Sequence, residues 1–186
     1  MPADELVAVD LPSLEVLRGR WAAVAAVTTA LGFPAVAHAV GRDTWVWDDG
    51  GGNRARLTRR PDGAPSGELV AGAPDWWLPP LRADAGEVSF VLGWDGAVWW
   101  RAAGALPGGG VAGLPVDAGQ LYGVVDAYLE GVADDQGLGG WRPPWPAVAA
   151  LALAGPRLTV GGLADVVGPL RADLPAGVVA ARRFMA

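Results

Sequence analysis

The chain of 186 residues contains no cysteine, no lysine and only one histidine, and these absences exclude several kinds of catalytic site. Without cysteine there is no disulfide, no zinc-thiolate site and no thiol nucleophile, and without lysine there is no phosphate-binding loop of the Walker type. A Ser-His-Asp triad would depend on His38, yet none of the three serines lies in a Gly-x-Ser-x-Gly motif. A zinc site built on one histidine would need carboxylates as further ligands. We therefore predict no catalytic residue, no metal and no cofactor.

His38 lies between Ala37 and Ala39 in an apolar segment. Residues in such segments are usually buried. We predict that His38 is a buried structural residue.

Positive charge is scarce and comes from arginine alone. The 14 basic residues face 20 acidic ones, which gives a net charge of -6 and a pI near 4.6. A nucleic-acid or anionic-membrane partner would require a basic face, because cations must replace the counterions of the phosphates. The balance excludes those partners and favours a basic protein partner. The acidic start of the chain differs from a signal peptide, so we expect a cytoplasmic protein.

One uncharged run, residues 21–40, is long enough to span a bilayer. Gly32 and Pro34 interrupt it, and a glycine followed by a proline is typical of the end of a soluble helix. We therefore predict a helix that ends near Leu31 and no membrane span.

Hydrophobic residues make up 52% of the chain and charged residues 18%, a composition typical of one folded domain over residues 1–186. The spacing of apolar residues predicts four helices: over 13–31, from Asp117 onward, near 147–154 and near 163–170. Ser13 is the predicted N-terminal cap of the first helix, and the pair Asp117 and Gln120 caps the second. Strands are predicted at 44–47, 54–58 and 68–71. The expected fold class is α+β, with a central antiparallel sheet of hairpins, an N-terminal helix and two to three C-terminal helices.

The pair Asp95-Gly96 predicts a hairpin between residues 87–94 and 97–101, since this dipeptide favours a two-residue turn. That turn would place Leu92 opposite Trp99. Trp99 and Trp100 would then point to opposite faces, because side chains alternate along a strand. Both faces are apolar, so the hairpin is either covered on both sides or has a binding surface on one.

The segment from Asp48 to Asn53 is rich in carboxylates and glycines. Two adjacent carboxylates could bind Ca²⁺ or Mg²⁺, but the spacing differs from that of an EF-hand, and a hairpin loop is the favoured interpretation. Glu68 or Glu87 could join these aspartates as a glycosidase pair, although the sequence does not fix their separation.

Ten tryptophans occur, many in clusters. They could fill the core, stack on sugar rings, or form a protein-binding surface with arginines, since tryptophan and arginine dominate interface energies. The predicted partner-binding residues are Trp45, Trp47, Asp48, Asp49, Asn53, Arg54, Arg56, Trp76, Trp77, Trp100 and Arg101.

Residues 44–103, with the segments Trp47–Leu57, Ala73–Trp77 and Gly93–Arg101, resemble a group of small uncharacterised actinobacterial proteins, and this resemblance implies no activity. In the order of its elements and its acidity, the chain is also similar to the SUKH superfamily of toxin-immunity proteins.

The leading hypothesis is a non-enzymatic binding protein, most concretely an immunity-like or antitoxin-like inhibitor of a basic protein. The alternatives are a hydrolase or carbohydrate-binding module using Asp48, Asp49 and Glu87 with the tryptophans, and a subunit that buries Trp100 by self-association.

Overall fold

The computed structural model describes residues 6–33, 36–40, 44–48, 54–58, 67–68, 93–94, 97–102 and 114–186. Its elements are β1 (Leu6–Val9), α1 (Leu14–Ala30), β2 (Ala37–Ala39), β3 (Thr44–Asp48), β4 (Arg54–Thr58), β5 (Gly67–Glu68), β6 (Gly93–Trp94), β7 (Trp99–Ala102), α2 (Ala118–Asp135), α3 (Trp145–Ala154), a 3₁₀ turn (Gly155–Arg157), α4 (Val160–Val167) and α5 (Leu174–Met185). The predicted α+β class, with an N-terminal helix and helices toward the C-terminus, is confirmed.

Helix α1 is the centre of the core. It begins where predicted, with the Ser13 hydroxyl accepting from the Val16 amide at 3.4 Å. It ends before Gly32, whose φ of 81° is a left-handed conformation that glycine adopts readily. Every residue from Trp21 to Thr28 is buried. Burial extends all around this part of α1, because the other four helices and strand β2 contact it.

The uncharged run at 21–40 is divided between α1 and β2. Within the described ranges, no helix combines the length and the apolar character needed to cross a bilayer.

Helix α5 was not predicted, and it packs more extensively on α1 than any other described element does. The two backbones approach so closely that a Cβ on Gly177 would lie 2.5 Å from the Ala26 carbonyl oxygen. A similar approach joins α1 to α3, where a Cβ on Gly19 would lie 2.7 Å from the Ala152 oxygen. Close packing of this kind leaves no room for larger side chains.

The described strands pair antiparallel, as predicted, but they divide into two sheets. One sheet has the order β2-β3-β4-β5 and the other the order β1-β7-β6. Of the predicted third strand at 68–71, Glu68 lies in β5 and residues 69–71 lie outside the described residues. Strand β1 was not predicted. In β2, alternation buries Ala37 and exposes His38. The prediction of a buried His38 is wrong for that reason.

The strands of the hairpin predicted at Asp95-Gly96 pair in a different register from the predicted one. Trp94 lies opposite Trp99, so four residues separate the strands instead of two. A register shift of two residues leaves every side chain on the face of the sheet that was predicted for it. The Trp99 face is buried as expected, and its indole donates to the Pro12 carbonyl at 2.7 Å. On the other face, Trp100 is half-buried and lies opposite Ala8, which is exposed. This second face of the sheet is therefore only partly covered.

Helix α2 begins at the predicted capping box. The Asp117 carboxylate accepts from the Gln120 amide at 2.7 Å, and the Gln120 side chain accepts from the Asp117 amide at 3.2 Å. Helix α3 begins two residues before the predicted range, and α4 lies three residues before its predicted range.

Candidate partner-binding surface

Two of the predicted partner-binding residues, Trp45 and Trp47, lie in the core, where each is 1% exposed. Trp45 Nε1 donates to the Phe184 carbonyl at 2.8 Å, and the Trp47 ring lies 5.6 Å from the Trp21 ring. Alternation along β3 places both indoles on the same buried face. Side chains buried to this degree offer no surface to a partner, so both are removed from the predicted site.

The other described members of the predicted site belong to two different sheets. Asp48 lies opposite Arg54 in the β3-β4 pair, and Arg56 follows on β4. Trp100 and Arg101 lie on β7 of the second sheet. The remaining members of the predicted site, and the carboxylate of the hydrolase alternative, lie outside the described residues: Asp49, Asn53, Trp76, Trp77 and Glu87.

The described residues contain no group of three or more histidines, aspartates or glutamates that could hold a metal ion. A cleft of about 180 Å³ lies between α3 and α4. Leu151 and Leu158 line it together with several alanines, and Arg157 and Asp165 are its charged lining residues. Pockets for drug-sized ligands usually measure about 300–1,000 Å³, so this cleft is large enough only for a small group.

A different surface combines an exposed aromatic ring with charge. Trp145, the first residue of α3, is 47% exposed. Its ring packs against Tyr122 of α2, with 5.2 Å between the ring centroids. Tyr122, Asp126 and Glu130 are spaced by four residues and therefore share one side of α2. We call Tyr122, Asp126, Glu130, Arg142 and Trp145 the Trp145 surface.

Arg142 links the segment before α3 to α2. Its Nη1 lies 2.7 Å from Asp126 Oδ2 and its Nη2 lies 2.6 Å from Glu130 Oε1. The hydrogen bonds to Glu130 and then to Asp126 raise the pKa of the guanidinium above its ordinary value. One guanidinium therefore engages both carboxylates.

The backbone around Trp145 is restricted by its neighbours. Residues 143, 144 and 146 are prolines, which fix φ. The Tyr122 hydroxyl donates to the Pro143 carbonyl at 3.0 Å. Together with the bridge from Arg142, these contacts restrict the backbone that carries Trp145, while Tyr122 packs against its ring. A side chain that is already ordered loses little conformational entropy on binding.

The stretch of chain that forms this surface is acidic, with five acidic residues and one arginine over residues 117–145. The surface itself contains two carboxylates, Asp126 and Glu130, and one guanidinium, Arg142, so its own net charge is -1. Asp134 and Asp135 are exposed, but they lie about 18–20 Å further along α2 than Tyr122.

The sequence contained a signal for this surface that the predicted site omits. Trp145 stands in a Pro-Pro-Trp-Pro segment, and prolines before and after a residue restrict its backbone. The side-chain contacts that join α2 to Arg142 and Pro143 connect residues 12 to 21 positions apart, and their partners could not be chosen from spacing alone.

No protein-family model, no curated protein and no solved structure matches this chain. The resemblances stated from the sequence stay predictions, and the functional argument depends on the geometry of the chain itself.

Proposed function

We propose that this chain is a non-enzymatic protein-binding domain that binds a basic partner protein through the Trp145 surface. The observation that carries the proposal is the exposed residue Trp145, whose ring packs against Tyr122 on the side of α2 that also carries Asp126 and Glu130. Tryptophan, tyrosine and arginine are the residues that most often dominate the energy of protein interfaces.

Charge supports the choice of partner. The chain has a net charge of -6, and the Trp145 surface has two carboxylates against one guanidinium. This negative balance favours encounter with a basic surface and disfavours an acidic one. Two copies of this chain would meet there with like charges, so self-association through this surface is disfavoured. The most concrete form of the proposal is an immunity-like or antitoxin-like inhibitor that covers a basic surface of its target.

A carbohydrate ligand is the second candidate, because sugar rings also stack on exposed indoles. The exposed Trp145–Tyr122 pair favours this candidate as well. A neutral sugar does not require the surrounding negative charge, which is why we place the basic protein first.

Site-specific photo-crosslinking tests the proposal. A photoreactive phenylalanine analogue replaces Trp145 in one variant and Leu153 in a control. Leu153 lies on the same helix and is 76% exposed. We expect irradiation in the cells that produce the protein to yield an adduct with one basic protein from position 145 only.

Two outcomes would contradict the proposal. One is the absence of any protein adduct from position 145 in a variant whose circular dichroism matches that of the unmodified chain. The other is the same set of adducts from both positions, which indicates random collisions.

A further inference from the structure

We infer that the exposed part of the Trp145 ring receives an arginine side chain of the partner, and that the surface selects arginine over lysine. This inference rests on the proposed function and specifies its chemistry. It concerns the residue type that the partner presents, which the net charge alone does not determine.

The chain itself contains the contact that we infer. In the core, the Arg18 guanidinium carbon lies 3.8 Å from the centroid of the Trp45 ring. The indole face carries negative electrostatic potential, so it attracts a cation placed over it. The planar guanidinium also stacks on the ring, which a lysine ammonium cannot do. An exposed indole in acidic surroundings offers the same contact to an external arginine.

The surface has room for a second cation beside its own arginine. Arg142 engages both Asp126 and Glu130, and one guanidinium against two carboxylates leaves this group with a net charge of -1. Attraction of a positive side chain to this region therefore persists with Arg142 in place.

Tyr122 orients the ring that would receive the cation. It packs against one side of the Trp145 indole at an interplanar angle of 40°, and 47% of Trp145 is exposed. Part of Trp145 is thus covered by Tyr122 and part is open to a partner.

Nuclear magnetic resonance with defined peptides tests the inference. The probes are three capped octapeptides in which glycine alternates with arginine, with lysine or with citrulline, an uncharged analogue shaped like arginine. The readout is the indole N–H resonance of Trp145, assigned by its loss in Trp145→Phe. Trp141, which lies in the same acidic stretch, supplies an internal reference.

We expect the arginine peptide to shift the Trp145 resonance and to bind about two- to fivefold more tightly than the lysine peptide. The citrulline peptide should bind more weakly than either. Trp145→Ala should reduce the affinity for the arginine peptide by a similar factor, whereas Leu153→Ala should leave it unchanged.

Equal affinity for the arginine and lysine peptides would overturn the inference, as would shifts of Trp141 as large as those of Trp145. The resonance shifts measured on the unsubstituted chain test the inference even if Trp145→Ala fails to fold. If crosslinking at position 145 captures a basic protein and the arginine peptide leaves Trp145 unshifted, the inference fails and the proposed function stands. If crosslinking captures no protein, the proposed function fails whatever the peptides do.

Discussion

Some tryptophans in this chain are buried and others are exposed. The position of each tryptophan along its strand or helix determines its burial. Trp45 and Trp47 are two positions apart on β3 and both are buried, while Trp99 and Trp100 are adjacent and differ in burial. Trp145 lies at the start of a helix, where only part of its ring is covered. A tryptophan cluster in a sequence is therefore not by itself evidence of a surface.

Replacing Trp45 by phenylalanine should lower the free energy of unfolding by about 1–3 kcal/mol. The change removes the hydrogen bond from Nε1 to the Phe184 carbonyl and replaces the indole beneath Arg18 by a smaller ring. Urea denaturation measures the effect. The matched variant Trp145→Phe should change the free energy by less than about 0.5 kcal/mol, and equal losses from both variants would contradict the burial assigned to Trp45.

The cap of α2 gives a second prediction. Asp117→Ala removes the acceptor for the Gln120 amide and should cost about 0.5–2 kcal/mol of stability. Asp135→Ala removes the same charge from the other end of α2, where a carboxylate opposes the helix dipole, and should be neutral or slightly stabilising. Thermal unfolding distinguishes the two. A loss of equal size from both would show that net charge, and not the cap, determines the result.

At the scale of helices, glycine has two distinct roles here. Gly19 and Gly177 lie where a Cβ would meet the backbone of another helix, whereas a Cβ on Gly123 or Gly131 of α2 would have no atom within 4 Å. The first pair permits close helix packing, and the second pair adds conformational freedom to an exposed helix surface.

Alanine substitutions should therefore have opposite signs at the two kinds of position. Gly177→Ala should destabilise the fold by about 1–3 kcal/mol through overpacking. Gly131→Ala should stabilise it by about 0.5–1 kcal/mol, because alanine favours the helix and loses less entropy. Chemical denaturation of both variants checks the signs, and a stabilising Gly177→Ala would contradict the close packing of α5 on α1.

The sequence was most informative about helix ends. Ser13, the Asp117–Gln120 box and Gly32 are local signals, and the structure confirms each of them. Helix α5 was missed because small residues and arginines dominate it, although Asp173 accepts from the Ala176 amide as its N-cap.

The candidate site was much harder to predict than the fold class. The predicted site gave weight to clustered aromatics, yet burial of Trp45 and Trp47 depends on α1 and α5, which are distant in sequence. The Trp145 surface requires contacts between α2 and residues 142–145. Periodicity does not reveal such contacts, because it describes one element at a time.

At the scale of the molecule, charge is distributed unevenly. Residues 117–145 carry a net charge of -4 and the other residues together carry -2. The first stretch contains the exposed residue Trp145, and residues 4–15 form a second acidic stretch with a net charge of -4.

The rate of association with the partner captured at position 145 should fall as salt is added, because ions screen the attraction between exposed charges. We expect at least about a tenfold decrease between low and high ionic strength, measured by stopped-flow mixing. Asp134→Asn combined with Asp135→Asn should weaken that dependence. A rate that is unaffected by salt would contradict the role assigned to the acidic stretch.

Calorimetric titration of the captured partner against three forms of this chain tests the central claim most directly. We predict that Trp145→Ala weakens binding by about 30-fold or more, as expected for a residue that dominates an interface, and that Leu153→Ala binds like the unsubstituted chain. Undiminished affinity of a folded Trp145→Ala variant would contradict the claim that the Trp145 surface is the binding site.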